Sequence, residues 1–255
     1  MGGLPVRAFS AAAPFAAAAV RIICRFKEGG AGKGEVSVAM LGAETLMACE
    51  TLCSFGSSIL YGGPDRARLA ALIEQRALLR EPLFRLVAGD AAERLFSCLD
   101  DAAQDQEAFA AFYRELRQDY AYLFYMASAS GVSVYESVYR TDDGTLFGPT
   151  TLEVRAAYAA FGYALESSAS EPDDHLGIEL AFLAKLFALA SEDDRKAERA
   201  LAAAADFMGA HVLAFSGDAL RRMHESARSV FYREAALLIA ASIDEVASTI
   251  GARAA

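Results

Sequence analysis

The chain has 255 residues, and its 24 lysines and arginines against 34 aspartates and glutamates give a formal net charge of −10. Hydrophobic residues make up 55% of it and charged residues 23%, which is typical of a globular protein with a sizeable core and excludes a mainly disordered chain. The acidic balance argues against binding to nucleic acid, which needs a basic surface, and favours a cationic partner.

Cysteine content and hydropathy bear on the redox compartment of the protein and on whether it spans a membrane. Four cysteines in a chain of this length are too few for a disulfide framework, which indicates a reducing compartment. The longest stretch without a charged residue, 120–135, is shorter than the roughly 20 apolar residues that a transmembrane helix needs. The sequence therefore predicts no membrane span.

Residues 1–40 differ from the rest of the chain. An alanine-rich uncharged run over 8–20 is followed by a glycine-rich stretch. The glycines do not complete a phosphate-binding loop, because Gly34 follows Lys33 where such a loop needs serine or threonine. We predict a poorly ordered extension that ends in a flexible linker. A secretory signal, and initiation at Met40, are alternatives that the sequence leaves open.

From residue 41 onward, apolar residues recur at helical spacing almost everywhere. Phe109, Phe112, Tyr113 and Leu116 follow the i, i+3, i+4, i+7 pattern of a helix face packed on a core. Since no run shows sustained strand alternation, apart from a short piece around 132–139, the fold class is all-α. We predict a single helical bundle over 41–250.

The later helices can be placed individually. Thr150 and Glu153 form a capping-box pattern that predicts a helix from there to about residue 166. Residues 176–189 are apolar on both sides, which predicts a central and buried helix. Two further helices are predicted, over 193–214 and 217–247.

Two long connections interrupt the helical pattern. The first, 128–150, contains the aromatic residues Tyr135, Tyr139 and Phe147, which a disordered linker rarely contains. We therefore predict an ordered loop that lies against a groove. The second connection is 167–172.

The residue types do not make up a catalytic site or a metal site. The three histidines, His175, His211 and His224, are too few for a His-Asp metal hydrolase. Cys49 and Cys53 share a helix face, but no second pair accompanies them to complete a tetrahedral zinc site, so we expect buried thiols. The sequence predicts no catalytic residue and no metal ligand.

The run Glu171-Pro172-Asp173-Asp174-His175 directly precedes the apolar helix. Proline presets the dihedral angle of helix entry, and acidic side chains complement the positive end of a helix. A well-capped helix, with His175 donating to a nearby carbonyl or carboxylate, would account for these residues. A binding role for the same residues is the alternative.

The block Glu-Pro-Asp-Asp-His-Leu-Gly at 171–177 resembles the signature of the TorD/DmsD family, cytoplasmic chaperones that mature molybdenum-containing oxidoreductases. The similarity covers about residues 42–247. Family members often have tryptophan where this chain, which has none, has Tyr120, Tyr135, Tyr139 and Phe215. Further similar blocks lie in order at 120–124, 135–139, 146–148, 151–152, 211–213 and 231–232.

The resemblance implies a chaperone that needs no cofactor, makes and breaks no bond, and binds a twin-arginine signal peptide. Such a leader, a pair of arginines before a weakly apolar stretch, needs carboxylates that accept bidentate hydrogen bonds and an adaptable apolar groove. The carboxylates would be those of Glu171, Asp173 and Asp174. They belong to a block that also contains Pro172 and His175, and His175 would be an orienting residue. The groove residues would be Tyr120, Leu123, Phe124, Tyr135, Tyr139, Phe147 and Gly148.

The resemblance also implies the partners and the setting. The partners are the leader and the apo body of the catalytic subunit of a molybdopterin oxidoreductase, in the cytoplasm. The chaperone would assist cofactor insertion and prevent premature export. It would be a monomer or a domain-swapped dimer with a hinge near 167–172. A guanine-nucleotide-binding or hydrolysing protein using Asp174 and His175, and a plain helical scaffold, are the other functions left open.

Overall fold

The computed structural model describes residues 41–79, 82–141, 143–165 and 172–254. The extension predicted over 1–40 lies outside these residues, as do Glu171 and most of the hinge predicted near 167–172. The domain division therefore stays a prediction. Apart from a single isolated bridge, the described residues form helices, turns and loops, which confirms the all-α fold class.

The first half of the described chain runs from a long helix to a π-helical turn. A kink at Gly89, whose φ is 46°, divides the fourth helix. The helices are α1 Ala43–Leu60, α2 Arg66–Glu74, α3 Arg76–Leu79, α4 Pro82–Ala102 and α5 Gln106–Tyr120, and the π turn is Ala121–Tyr125.

The second half has two short helices followed by longer ones, with a second π turn inside the longest helical run. The elements are α6 Ala127–Ser130, α7 Glu136–Arg140, α8 Pro149–Ala160, α9 Leu176–Glu192, α10 Asp194–Phe207, the π turn Met208–Val212, α11 Leu213–Ser226 and α12 Val230–Ile250.

Helix α9 lies at the centre of the fold, as its two apolar sides predicted. Every residue from Leu176 to Ala184 is buried. The helix packs along α1 and α10, while α12 packs on α1, α4 and α11. Close approach of α9 to α1 depends on Gly56, because a β-carbon there would lie 2.8 Å from Leu180. The central helix therefore packs against the first described helix and against the helix that follows α9 in the chain.

Three predicted helix boundaries are wrong: one break between helices, and the start and the end of helix α8. The break expected at 215–216 is absent, since the helical run continues to Ser226 and ends at a short connection over 227–229. Helix α8 begins at Pro149 with Gly148 as its N-cap, so Thr150 is inside the helix and no capping box forms. That helix ends at Ala160, short of residue 166.

Among the residues that the structure describes, one helical stretch has the length and composition to cross a membrane. It is Asp194–Ser226, and 56% of its most apolar window is buried inside the protein. The same combination occurs in core helices of soluble proteins, so the absence of a span stays a prediction.

Candidate functional site

The loop around Tyr135 and the start of helix α9 are joined by backbone hydrogen bonds. Tyr135 and His175 form an antiparallel bridge. The amide of Glu136 donates to the carbonyl of Asp174 at 2.9 Å, and the amide of Leu176 donates to the carbonyl of Val134 at 2.7 Å. The two most characteristic blocks of the sequence, nearly forty residues apart, are therefore in direct contact.

Asp174 is the central acceptor of this contact. Its carboxylate is fully buried and accepts from the amide of Ser137 at 2.6 Å and from the hydroxyl of Thr151 at 2.9 Å. It thereby ties the N-terminal turns of α7 and α8 to the start of α9. Because both oxygens have partners inside the protein, Asp174 is not free to receive an arginine in this conformation.

Asp173 also has an internal partner, but one that reaches the surface. The Nε and Nη2 of Arg155 donate to one carboxylate oxygen of Asp173 at 2.8 and 2.5 Å. The Arg155 side chain is 57% exposed, whereas that of Asp173 is 7% exposed. A surface arginine therefore covers a buried carboxylate.

His175 caps helix α9 and is neutral. Its Nδ1 accepts from the amide of Gly177 at 2.9 Å, so at this nitrogen the ring is an acceptor and not the predicted donor. Burial lowers the pKa of His175 to about 4. The ring lies between Tyr61 and Tyr135, with centroid distances of 5.3 and 5.1 Å.

A buried acidic cluster, formed by Glu136, Asp174 and Glu179, lies beside this joint between Tyr135 and His175, and the sequence pattern did not predict it. All three side chains are fully buried. Glu136 shares a 3.0 Å hydrogen bond with Nδ1 of His211, which the second π turn carries. In the described part of the chain neither carboxylate oxygen of Glu179 has a hydrogen-bond partner. Burial, followed by the charges of Glu136 and Asp174, raises the pKa of Glu179 well above its usual range.

The predicted groove residues divide into core and surface. Tyr120 and Leu123 are buried, and the Tyr120 hydroxyl donates to the carbonyl of Leu60 at 3.0 Å, so neither presents its side chain to an open groove in this structure. Phe124, Tyr135 and Tyr139 are half-buried. Pro172 is buried.

Phe147 is the exposed member of the predicted set. Its side chain is 53% exposed, and its φ of 64° is the left-handed value that a bulky residue rarely adopts. It precedes the N-cap Gly148, and Leu152 is the fourth helical residue, which are the two positions that pair in a hydrophobic staple. Leu146 and Leu152 are exposed as well. We call these three residues, Leu146, Phe147 and Leu152, the staple surface.

Comparison with known proteins adds to this geometry. The sequence profile of the nitrate reductase delta subunit family matches residues 89–221, which is more than half of the chain. Chaperone protein TorD of Vibrio cholerae serotype O1 is 32% identical over 150 residues, which are 58% of this chain and 61% of that protein. Chaperone protein TorD of Vibrio vulnificus is 31% identical over 129 residues, 50% of this chain and 60% of that protein.

This chain belongs to the nitrate reductase delta subunit family, the family of the TorD chaperones. The resemblance predicted from the block at 171–177 is thus confirmed. The matched region contains the joint between Tyr135 and His175, Arg155 and the staple surface. The chain spans about three fifths of the length of the TorD proteins it matches.

The described part of this TorD-family chain contains no group of three or more His, Cys, Asp or Glu side chains arranged to hold a metal ion. Cys49 and Cys53 are free and buried, and burial raises the pKa of Cys49 to about 12, so the expected buried thiols are found. An open cavity of about 390 Å³ lies elsewhere and contains none of the predicted site residues; it is lined by Ala205, Asp206, Gly209, Ala210, Gly251, Ala252 and Arg253.

Proposed function

We propose that this protein is a cytoplasmic chaperone that matures a molybdenum-containing oxidoreductase and catalyses no reaction. It would bind the twin-arginine leader and the apo body of that enzyme. The observation that carries the proposal is the joint between Tyr135 and His175, because it brings the two characteristic blocks together in a chain of the TorD family. Monomer and domain-swapped dimer both remain compatible with this role.

In this proposal the apolar stretch of the leader contacts the staple surface and the half-buried rings beside it. Exposed large apolar side chains grouped on one loop and the following helix turn commonly mark a contact site. The backbone of Phe147 is strained, and its exposed side chain contributes nothing to the core. Tyr135 and Tyr139 belong to the same segment as Glu136, whose amide donates to the carbonyl of Asp174. The joint therefore holds this segment in place against the start of α9.

We expect Phe147→Gly to weaken leader binding by about tenfold while changing the free energy of unfolding by less than about 1 kcal/mol, because glycine adopts the positive φ without strain. Leucine provides a matched comparison. Leu152→Ala should weaken binding, whereas Leu86→Ala, an exposed leucine of α4, should not. Titration calorimetry with a leader peptide and urea denaturation provide both measurements. Equal effects of the two leucine variants on binding would contradict the assignment.

We propose that the arginines of the leader bind by exchange with Arg155. Asp173 is the one described carboxylate of the 171–175 block whose partner side chain is largely exposed. A guanidinium of the leader could take the place of Arg155 and keep the buried carboxylate paired, which avoids the cost of an unpaired buried charge. Asp174 and His175 then act as positioning residues that fix the loop and the helix start.

Arg155→Ala should therefore tighten binding of a twin-arginine peptide, by roughly three- to tenfold, because the internal competitor is removed. The same substitution should increase the affinity for a peptide with Lys-Lys in place of Arg-Arg by a smaller factor, since lysine cannot form the bidentate pair. Arg195→Ala is the control, because Arg195 pairs with Asp193 elsewhere on the surface.

The same titrations test the proposed function. Binding of the twin-arginine peptide, with weaker binding of the Lys-Lys peptide, is the expected result for the full chain. Equal binding of both peptides, or absence of binding by a folded sample, would contradict leader recognition. Weaker binding to Arg155→Ala than to the wild type would contradict the exchange and leave Arg155 as a direct contact.

A bound leader is unavailable to the export machinery, so by mass action the chaperone would suppress export of an enzyme that lacks its cofactor. Both the delay of export and assistance in cofactor insertion belong to this proposal.

A further inference from the structure

The most exposed aromatic side chain in the described part of the protein lies at the end of the first π turn. Tyr125 is 77% exposed, and the adjacent Met126 is 55% exposed. Both follow the buried Leu123, and Tyr125 contacts the buried Tyr120 edge-on at a centroid distance of 5.6 Å. The turn is therefore anchored in the core and presents two large apolar side chains to solvent.

Two arginines are held on neighbouring segments, one over Tyr122 of the same π turn and one on the carbonyl of Gly131. The guanidinium of Arg228 lies 3.6 Å from the centroid of the Tyr122 ring, in the same π turn. The Arg228 amide donates to both oxygens of the buried Asp119, which fixes the backbone at this point. Arg222 donates to the carbonyl of Gly131 at 3.2 Å.

Hydrogen bonds connect the segments that carry these groups. The amide of Ser130 donates to the carbonyl of Met126 at 3.1 Å. The hydroxyl of Ser226, one turn after Arg222, donates to the carbonyl of Ser130 at 2.8 Å. The end of α11, α6 and the π turn thus form one surface. We call it the arginine–tyrosine surface, defined by Tyr122, Tyr125, Met126, Arg222 and Arg228.

The charge of this surface is opposite to that of the whole protein. The chain has a formal net charge of −10, yet Arg222 and Arg228 are exposed and no described carboxylate lies within 4.0 Å of either guanidinium. Arginine and tyrosine are enriched at binding hot spots, and methionine adapts to irregular apolar partners. Guanidiniums without a described carboxylate partner, on the same surface as an exposed ring and a thioether, suit a ligand that carries carboxylates next to apolar side chains.

We infer that the arginine–tyrosine surface binds an acidic, apolar segment of the client protein's body, next to the leader site, since the Arg222 guanidinium lies 5.9 Å from the centroid of the Tyr139 ring. The inference rests on the proposed function for the identity of the client. Charge complementarity selects this occupant, because the same arginines repel the doubly basic leader.

The absence of tryptophan from the chain provides a direct test. Tyr125→Trp in the full chain makes a single fluorescent reporter at the surface. The probe is a 16-residue amphipathic peptide of glutamate and leucine, and its comparison is the same peptide with lysine for glutamate. We expect a blue shift of the emission with the acidic peptide and none with the basic one.

A pair of charge variants on the same reporter protein locates the binding. Arg222→Gln with Arg228→Gln should weaken binding of the acidic peptide by about tenfold or more, and keeps the Arg228 backbone bond to Asp119. Arg114→Gln with Arg195→Gln, both exposed elsewhere, makes the same change in net charge and should have no such effect. Circular dichroism confirms that both doubles are folded.

Three results would overturn the inference: no response to the acidic peptide, an equal response to the basic peptide, or equal affinities of the two double variants. Titration of the same samples with the twin-arginine peptide separates this inference from the proposed function. Leader binding without acidic-peptide binding removes only the second surface. Acidic-peptide binding without leader binding leaves the surface and removes leader recognition.

Discussion

Asp174→Ala is expected to lower the free energy of unfolding by about 3 kcal/mol or more, because two buried donors lose their acceptor together. The amide of Ser137 and the hydroxyl of Thr151 both donate to this carboxylate, and neither residue is exposed. Water cannot replace the lost acceptor without opening the joint between α7, α8 and α9. Urea denaturation followed by circular dichroism measures the change.

Two further variants calibrate the Asp174 result. Asp193→Ala removes an N-cap at the surface end of α10 and should cost only about 1 kcal/mol. Asp174→Asn retains one acceptor oxygen and should fall between the two. If Asp174→Ala kept full stability and lost leader binding alone, Asp174 would be a ligand-binding carboxylate, and its assignment as a positioning residue would be wrong.

Glu179→Met is expected to stabilise the protein by about 1–3 kcal/mol at pH 8, because a buried carboxyl group without hydrogen-bond partners is replaced by an apolar side chain of similar size. The substitution should also change how the free energy of unfolding depends on pH. Since the folded-state pKa of Glu179 is raised, its contribution to stability is fully present below the unfolded value, near 4.5, and is lost as pH rises through the folded value.

The contribution of Glu179 to the wild type's stability should therefore fall as the pH rises above 4.5, and Glu179→Met should lack this fall. The contribution of His175 has the opposite slope up to about pH 6.5, so each variant is compared with the wild type at each pH. Glu179→Gln is the control: it removes the titration and keeps a polar group in place, so it should flatten the pH dependence with less gain in stability. His175 contributes to the pH dependence at lower pH. Its pKa is lowered to about 4 in the folded state, so the stability that it contributes is lost as the pH falls below the usual histidine range. Identical pH profiles of wild type and Glu179→Gln, from denaturation at pH 5 to 9, would contradict this account.

The elements that periodicity predicted well are those whose burial is decided locally. Helix α9 is apolar on both sides over its whole length, and it lies at the centre of the fold. The end of the long helical run was misplaced because its cause is distant in sequence. Asp119 accepts the amides of Arg228 and Ser229, which ends the run there, while Ser216 and Gly217 continue the helix.

The sequence indicated which blocks belong to the candidate site, but not which residues form hydrogen bonds with them. The family signature includes Asp173 and Asp174, yet their hydrogen-bond partners come from other segments. Arg155 donates to Asp173, and Ser137 and Thr151 donate to Asp174. No local pattern encodes such pairing. Glu179 did carry a signal, since an acidic residue one turn into a helix with apolar residues on all sides is placed where the fold must neutralise it.

The π turn at Met208–Val212 takes up one extra residue inside the longest helical run. Because a π turn carries one residue more than the α-helical path, the helix keeps its alignment on either side of the turn. Within an α-helix each residue advances the chain by about 100°, so losing one residue there rotates everything that follows. Deleting Ala210 should therefore leave a regular α-helix with Phe215 and Met223 still in the core, whereas a deletion within α10 would turn both away from it. The run should tolerate a shorter length at the π turn and at no α-helical position before it.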